Sequence, residues 1–335
     1  MRFGKVVERF IGLIPVLLGV SVIVFLMITL TPGDPVQIML GDARSSPEQE
    51  AALRRDMGLD RPIHERFILF IANALRGEFG LSFFHRRPVI EVIGERLPAT
   101  IELTLVALIL ALAIAIPLGV IAAVKRNSWL DRLSTVGSLF GVSLPGFWFG
   151  ILLILLFSVK LGWFPVSGRI GFSAEVRAVT GLLLIDTLLA GRLDSFWQAL
   201  RHISLPALTL ALPMAAVLTR VTRSSMIEVL RTDYVLFAEA KGLRKARVIG
   251  LHALKNALIP TVTVAALETG SLLGGNMIVE TVFGWPGLGR LVVEAIFSRN
   301  YPLVQAAVLL YAVTYVLLNF FADILYTWLN PKVRL

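Results

Sequence analysis

Three acidic residues lie within long apolar runs of the sequence, and they have the clearest capacity for chemistry: Glu102, Glu268 and Asp323. A carboxylate inside a membrane is costly, and such residues commonly carry protons or line a polar path. Glu102 and Asp323 lie near the ends of their runs, so we expect Glu102 to reach the interface and Asp323 to be structural. Glu268 lies in the middle of its run and is a candidate for a translocation path.

Two glycines follow Glu268 in the same run. Gly270 and Gly274 are four residues apart, a spacing of small residues that lets two membrane helices approach closely. Helix packing is the simpler interpretation of this pair, and a gating hinge is the alternative. We keep Gly270 and Gly274 beside Glu268 as candidate translocation-path residues.

Motifs for covalent chemistry are missing from the sequence. It contains no G-x-x-x-x-G-K-[ST], no H-E-x-x-H and no G-x-S-x-G. There are 0 cysteines, and the 4 histidines are widely separated. We therefore predict no catalytic residue, no metal site and no cofactor in this chain, and an enzymatic function is disfavoured.

The composition is typical of an integral membrane protein. Hydrophobic residues make up 56% of the chain and charged residues only 16%, whereas soluble domains average about 25% charged residues. The formal net charge is +9, but the basic residues lie between apolar runs. That position favours contact with membrane surfaces over binding to nucleic acid.

Several apolar runs approach or exceed the length of about 20 residues that a helix needs to cross the hydrocarbon layer. The first run is longer than the apolar part of a signal peptide and is not followed by a small-residue cleavage site, so we predict that it is retained. The predicted spans are Phe10–Leu30, Thr100–Val124, Thr135–Val159, Ile203–Thr219, Ala257–Val279 and Leu303–Leu329.

Two shorter helices are predicted outside the membrane. Ser46 as N-cap and Pro47 at the first helical position indicate a helix that ends at Gly58. The apolar run Val179–Leu189 contains Asp186 and is too short to cross a membrane. We expect it to form an interfacial or buried helix.

Short basic loops decide the orientation, because lysines and arginines are equally numerous on the two sides. Lys125–Arg126 and the cluster Arg220–Lys255 flank spans closely, which places both in the cytosol. We therefore predict cytosolic N- and C-termini. Residues 1–95 would form the first span and an extracytoplasmic loop, and residues 96–335 the remaining five spans.

The basic cytosolic loop contains a short predicted helix. Thr232 or Asp233 can cap its N-terminus, and Gly242 suits the position after its last turn. Ala238 and Ala240 give it small side chains, whereas a helix lying on lipid would favour Trp or Leu. Insertion into a protein groove is thus favoured over the alternative, a helix on the lipid headgroups.

Segments along nearly the whole chain resemble the dipeptide/oligopeptide (DppB-like) permeases of ABC importers. The Ala238-Glu239-Ala240 core with Gly242 resembles the EAA motif of that family, although this subgroup often carries Arg where Glu239 stands. The run Thr180–Thr187 resembles dipeptide permeases more than glutathione or nickel permeases. The other matching segments are Leu30–Pro35, Leu161–Gly168, Leu205–Leu208, Thr222–Met226, Asn256–Pro260, Trp285–Arg290 and Asn330–Leu335.

The resemblance implies an all-α integral membrane protein with six transmembrane helices and the type I ABC importer permease (MetI-like) fold. It also implies a coupling helix that docks on a cytosolic ATPase and an outer surface that docks a binding protein. The candidate coupling residues are Ala238, Glu239, Ala240 and Gly242, with Arg244 and Lys245 at the rim. The candidate docking residues are Trp285, Pro286, Gly287 and Gly289.

By this resemblance the chain is half of a pore in a prokaryotic cytoplasmic membrane. Its partners would be a homologous second permease, two cytosolic ATPases that bind ATP and Mg, and an extracytoplasmic substrate-binding protein. Di- and oligopeptides are the expected substrates, with a nickel chelate, glutathione or an oligosaccharide as alternatives. A proton-coupled secondary carrier is the alternative of another class, but the sequence indicates neither the inverted repeats nor the broken helices common in such carriers.

Overall fold

The structure is a computed structural model that describes residues 3–30, 36–37, 46–56, 58–171 and 176–329. The regular structure in these ranges is helical, with one isolated antiparallel bridge between Leu81 and Pro88. In chain order the helices are α1 (Phe3–Leu30), α2 (Pro47–Asp56), α3 (Ile63–Arg76), α4 (Val89–Val124), α5 (Trp129–Ser143), α6 (Gly146–Leu153), α7 (Leu183–Leu189), α8 (Leu193–Val229), α9 (Asp233–Ala240), α10 (Lys245–Arg247), α11 (Leu254–Gly275), α12 (Met277–Val282), α13 (Leu288–Phe297) and α14 (Tyr301–Leu329). Wider π-helical turns at Ile154–Lys160 and Val248–Ala253 extend α6 and α10.

Five helical segments are long and apolar enough to cross a membrane, and α5 with α6 makes a sixth if the bent pair is one span. This agrees with the six predicted spans. The run that contains Asp186 forms only the 7-residue helix α7, as expected for a segment that does not cross. At Ser46 the predicted cap is confirmed, because Gln49 N–H donates to Ser46 Oγ (3.3 Å) and Ser46 N–H donates to Gln49 Oε1 (3.2 Å).

The third span is not the single helix predicted over Thr135–Val159. Helix α5 ends at Ser143, and α6 begins at Gly146 in a direction bent by 102°. Pro145 explains the break, because proline lacks an amide hydrogen and disfavours the helical conformation of the residue before it. Leu144 accordingly adopts an extended conformation (φ −79°, ψ 128°). The expectation that no span would be broken is therefore wrong.

Helices α4 and α8 are longer than their predicted spans, with 36 and 37 residues. Each continues through two internal prolines, and α11 likewise continues through Pro260. The division that we predict after residue 95 lies within α4. The fifth span starts and ends earlier than predicted, because its helical segment begins at Lys245, α11 ends at Gly275 and a separate helix, α12, starts at Met277.

The core lies where α4 packs along α8. Ala107, Ala111 and Ala115 recur every four residues on one face of α4, and all three are fully buried. Gly119 continues this row toward the predicted cytosolic end. A Cβ atom at Gly119 would lie 2.6 Å from Cβ of Thr222 on α8, so glycine is required for this close approach.

We predict that Gly119→Ala destabilises the protein by about 1 to 3 kcal/mol, because the added methyl group forces α4 and α8 apart. The matched control is Gly137→Ala on α5, where a Cβ meets nothing within 4 Å. Both changes remove a helical glycine, so they share the same gain in helix propensity. Thermal unfolding of the purified protein in detergent measures the difference, and equal unfolding temperatures would contradict the close contact.

Candidate functional site

The predicted coupling loop, residues 220–256, starts later than expected, because α8 continues to Val229. The remainder, residues 231–256, is here called the coupling loop and contains α9 with the predicted boundaries. Thr232 is the N-cap residue, but its hydroxyl donates to the Val229 carbonyl (2.6 Å) instead of capping α9. Gly242 has φ +76°, and its amide donates to the Glu239 carbonyl (2.9 Å). The left-handed backbone at Gly242 favours glycine. The predicted stop of the helix is thus confirmed.

One face of α9 packs on its own chain. Val235 and Ala238 are 0% and 6% exposed. They belong to a buried cluster with Met226 at the end of α8 and with Val248 and Ala253 in the π-helical turn. Ala238 therefore packs α9 against the chain and leaves little surface for a partner. Its predicted role in coupling stays a prediction.

A polar contact fixes the same helix to α11. The Asn256 amide donates to Tyr234 Oη (2.7 Å), and Tyr234 Oη donates to the His252 carbonyl (3.3 Å). Tyr234 is near the start of α9, and Asn256 is in the first turn of α11. Displacement of α9 must therefore act on α11 as well as on α8.

The opposite face of α9 is exposed and partly apolar. Leu236 and Phe237 are 50% and 61% exposed, and Lys241 Nζ lies 4.5 Å from the centroid of the Phe237 ring. An exposed apolar patch next to charged residues is typical of a protein interaction surface. Of the predicted coupling residues, the exposed ones are Glu239, Ala240, Gly242, Arg244 and Lys245.

At the other end of the bundle, a buried carboxylate organises the segment 276–300, here called the α12–α13 segment. Glu280 is fully buried. Its Oε1 accepts a hydrogen bond from Thr100 Oγ1 (2.7 Å), and its Oε2 accepts one from the Arg290 amide (3.0 Å). Thr100 Oγ1 in turn accepts the Leu288 amide (2.8 Å). Glu280 and Thr100 together satisfy amides of the first turn of α13.

The predicted docking residues enclose this carboxylate. A Cβ atom at Gly287 would collide with both carboxylate oxygens of Glu280, and one at Gly289 would lie 2.8 Å from Met277 Cα. Trp285 is 1% exposed, and its indole N–H donates to the Ala99 carbonyl (2.9 Å). Trp285, Gly287 and Gly289 are buried and Pro286 is half-buried. Docking of a binding protein at this motif stays a prediction. The three buried residues offer little surface for such docking.

Sequence reasoning missed Glu280, which lies one residue beyond the predicted end of the fifth span. Its hydrogen-bond partner Thr100 is 180 positions away in the chain, so no local pattern reveals the contact. The signal that was present is an acidic residue at the end of an apolar run, followed closely by the glycines 287 and 289.

Glu102 is enclosed by the protein, and its expected position at the membrane interface stays a prediction. It is 5% exposed, and its Oε2 accepts two hydrogen bonds from Arg169, from Nη2 (2.6 Å) and Nε (3.0 Å). Its Oε1 accepts the Leu184 amide (2.6 Å). Arg169 Nη2 also donates to the Gly181 carbonyl (2.7 Å). The ion pair ties residues 161–171 and 176–192, here called the α7 segment, to α4.

Asp186 shapes the α7 segment from within. It is 2% exposed and accepts hydrogen bonds from the Thr180 hydroxyl (2.7 Å) and from the amides of Thr180 (2.8 Å), Gly181 (3.0 Å) and Val179 (3.2 Å). Burial raises the pKa of Asp186, but these hydrogen bonds outweigh it and hold the pKa below its ordinary value. Asp186 is thus a charged structural acceptor.

The candidate path residues do not form one constellation. Glu268 and Gly270 are about 200° apart around α11. A Cβ at Gly270 would lie 3.6 Å from Leu318 and Tyr315 on α14, which supports the packing interpretation. Gly274 lies in the last turn of α11, and its surroundings are outside the described residues. Glu268 is half-buried, and Asp323 is half-buried with an interaction partner.

The bent and straight spans, together with a short helix seated at their predicted cytosolic ends, define a transporter permease. Residues 115–335 match the family described as "Binding-protein-dependent transport system inner membrane component", and residues 1–104 match the N-terminal model of such components. The chain belongs to this family of ABC importer permeases and is an integral inner-membrane protein.

Relatives with curated names match over almost the full length. The di/tripeptide transport system permease protein DppB of Pseudomonas aeruginosa is 46% identical, over 98% of both chains. The dipeptide transport system permease protein DppB of Escherichia coli K12 is 44% identical, over 97% of both. The glutathione transport system permease protein GsiC of the same strain is 42% identical, over 98% of both.

A solved structure supports the fold. The permease-containing structure titled "Inward facing conformations of the MetNI methionine ABC transporter" aligns with a TM-score of 0.53 at 17% identity, over 72% of this chain and 97% of that chain. At this identity the comparison concerns the fold alone. The predicted MetI-like all-α fold is confirmed.

Two threonines on α4 give a matched test of the Glu280 contact. Thr100 and Thr104 are each 1% exposed and one turn apart, but only the Thr104 hydroxyl has no hydrogen-bond partner. Thr100→Val leaves Oε1 of the buried Glu280 and the Leu288 amide without a partner, so we predict a loss of about 2 kcal/mol of stability. Thr104→Val removes no hydrogen bond and should be neutral or stabilising. Similar unfolding temperatures for the two variants would refute the proposed role of Thr100.

Proposed function

We propose that this chain is one of two pore-forming permeases of an ATP-driven importer that carries di- and oligopeptides across the cytoplasmic membrane. The observation that carries the proposal is the 46% identity to a di/tripeptide permease over 98% of both chains. The relative named for glutathione is 42% identical, and glutathione is itself a tripeptide. A nickel chelate and an oligosaccharide are the less favoured substrates.

In this proposal the other subunits supply what the chain lacks. A homologous permease completes the pore, an extracytoplasmic protein delivers the substrate, and two cytosolic ATPases bind ATP and Mg. The chain carries no cofactor, and its N- and C-termini are in the cytosol. The apolar exposed face of α9, with Leu236 and Phe237, supports docking of an ATPase because such a surface is unfavourable in water.

The contacts of α9 supply a route for coupling. The cluster around Val235 and Ala238 joins α9 to α8, and the Tyr234–Asn256 hydrogen bond joins it to α11. An ATPase that moves when it binds ATP would therefore carry the ends of both helices. Well-packed elements move as rigid bodies, so the displacement reaches the pore as rocking of α8 and α11, and the chain itself makes and breaks no covalent bond.

The proton-coupled carrier receives less support from the same geometry. Glu102 would be one of its proton sites, but it is held by Arg169 and the Leu184 amide. These contacts give Glu102 a structural role, since it joins α4 to the α7 segment. The broken third span, which is common in secondary carriers, is the one feature in its favour.

Uptake measured while ATP and the proton gradient are varied separately distinguishes an ATP-driven importer from a proton-coupled carrier. Cells that depend on this chain for peptide uptake are depleted of ATP while respiration maintains the proton gradient. We predict that uptake of a labelled dipeptide falls to background, because transport is driven by the partner ATPases, which close when they bind ATP. Dissipating the gradient at normal ATP should leave initial uptake intact. Uptake that followed the gradient and not ATP would establish the carrier.

The coupling role of α9 is tested by a bulky side chain on its exposed face. Ala240 is exposed, so Ala240→Trp fits the chain itself but blocks a close-fitting groove. We predict that ATPase co-purification and dipeptide uptake both fall at least tenfold, an effect of about 1.4 kcal/mol or more on docking.

The control for this variant is Ala51→Trp, the same substitution at an exposed position of α2 on the predicted opposite side of the membrane. It should leave ATPase co-purification unchanged. Membrane insertion of both variants is checked by their amounts in the membrane fraction. Normal co-purification with Ala240→Trp would remove α9 as the docking element.

A further inference from the structure

A groove of about 210 Å³ lies between α5 and the part of α8 near its predicted cytosolic end. Hydroxyl side chains of both helices and two arginines of α8 line it, together with apolar side chains that include Leu139, Val142 and Ala216. None of the functional roles described above uses this groove. Its volume is below the roughly 300 to 1,000 Å³ of whole-ligand pockets, so it suits one end of a small molecule.

Three hydroxyl groups in the groove are free to bind a ligand. A Ser or Thr within a helix commonly donates to the carbonyl four residues earlier, as Thr135 and Ser143 do in the groove itself. Ser134, Ser138 and Thr219 make no such bond and no other hydrogen bond with the described residues. Thr219 is only 3% exposed, and it lines the groove.

The charge of the groove is positive. Arg223 is neutralised by Asp131, whose Oδ2 accepts a hydrogen bond from Arg223 Nη2 (2.9 Å). Arg220 is exposed and makes no hydrogen bond or ion pair within the described residues. A guanidinium group can only donate, and the three free hydroxyls can donate as well. The groove therefore presents a surplus of donors around one cation, which complements an anionic acceptor.

One end of the groove lies next to the break in the third span. It extends to Val142 and Ser143, where α5 ends before the 102° bend. Leu144, Pro145 and Gly146 are not buried by this chain. Non-helical backbone at membrane depth is tolerated only against protein or a water-filled cavity. We therefore expect this end of the groove to face a partner protein or a water-filled cavity and not lipid.

We propose that this groove binds the carboxylate terminus of the transported peptide, with Arg220 as the cationic contact and with Ser134, Ser138 and Thr219 as hydrogen-bond donors. The apolar side chains at its wall would contact the last side chain of the peptide. This inference rests on the proposed peptide substrate and adds a site within the permease that recognises it.

The chain has 0 cysteines, so Ser138→Cys places its one thiol in the groove. The complete importer with this variant is treated, in inside-out vesicles, with an anionic and a cationic methanethiosulfonate reagent. We predict that the anionic reagent labels the permease band about tenfold faster, relative to the rates with free thiol, because the nearby charge steers it. Arg220→Gln should abolish this preference, and Arg220→Lys should keep it.

The control thiol is Phe140→Cys, which lies two residues further on α5 and about 200° around it. It should show no charge preference that depends on Arg220. A millimolar dipeptide should slow labelling of Ser138→Cys at least threefold, and the same dipeptide with an amidated carboxyl group should not. An anionic lipid as the occupant would instead give slow labelling that neither peptide changes, and this result would overturn the proposal.

Equal rates for the two reagents, or a preference that persists in Arg220→Gln, would also overturn it. Equal protection by the free and amidated peptides would show that the groove does not recognise the carboxylate, and this result would overturn the proposal as well. When dipeptide uptake is normal and protection is lacking, the groove assignment fails while the peptide function stands. A wild-type chain that supports no peptide uptake would refute the proposed function and, with it, this site.

Discussion

One turn at the start of the membrane part of α4 anchors both segments at the predicted outer end of the bundle. The Ala99 carbonyl holds the indole of Trp285, and Thr100 holds Glu280 and the amide of Leu288. Two residues on, Glu102 holds Arg169. Buried charged and polar groups are stable only when they are paired in this way. The position of α4 therefore decides where the α7 and α12–α13 segments lie.

Local signals in the sequence were sufficient to predict the helices but not the contacts between them. Apolar runs located the spans, and Ser46 and Gly242 correctly marked a helix start and stop, because capping depends on neighbouring residues. The pairing of Glu102 with Arg169 crosses 67 positions and that of Thr100 with Glu280 crosses 180. No periodicity in a single sequence encodes such pairs, so Glu280 went unnoticed.

The break in the third span could not be predicted from its proline alone. Pro145 followed by Gly146 was visible, but prolines 98, 117, 206, 213 and 260 lie inside continuous helices. Proline alone therefore does not predict a break. Pro15 likewise lies inside the continuous helix α1, which is largely exposed, so exposure of a span does not predict a break either.

The coupling loop and the groove meet on the same helix. Arg220 lies about two turns before the end of α8 at Val229, and α9 follows after a short turn. Val235 and Ala238 fasten α9 to that end of α8, whereas the serines of the groove belong to α5. A displacement of α9 would thus shift Arg220 relative to Ser134 and Ser138 and separate the cation from its donors. In the proposed mechanism, the movement of α9 that drives transport would also weaken the proposed peptide site.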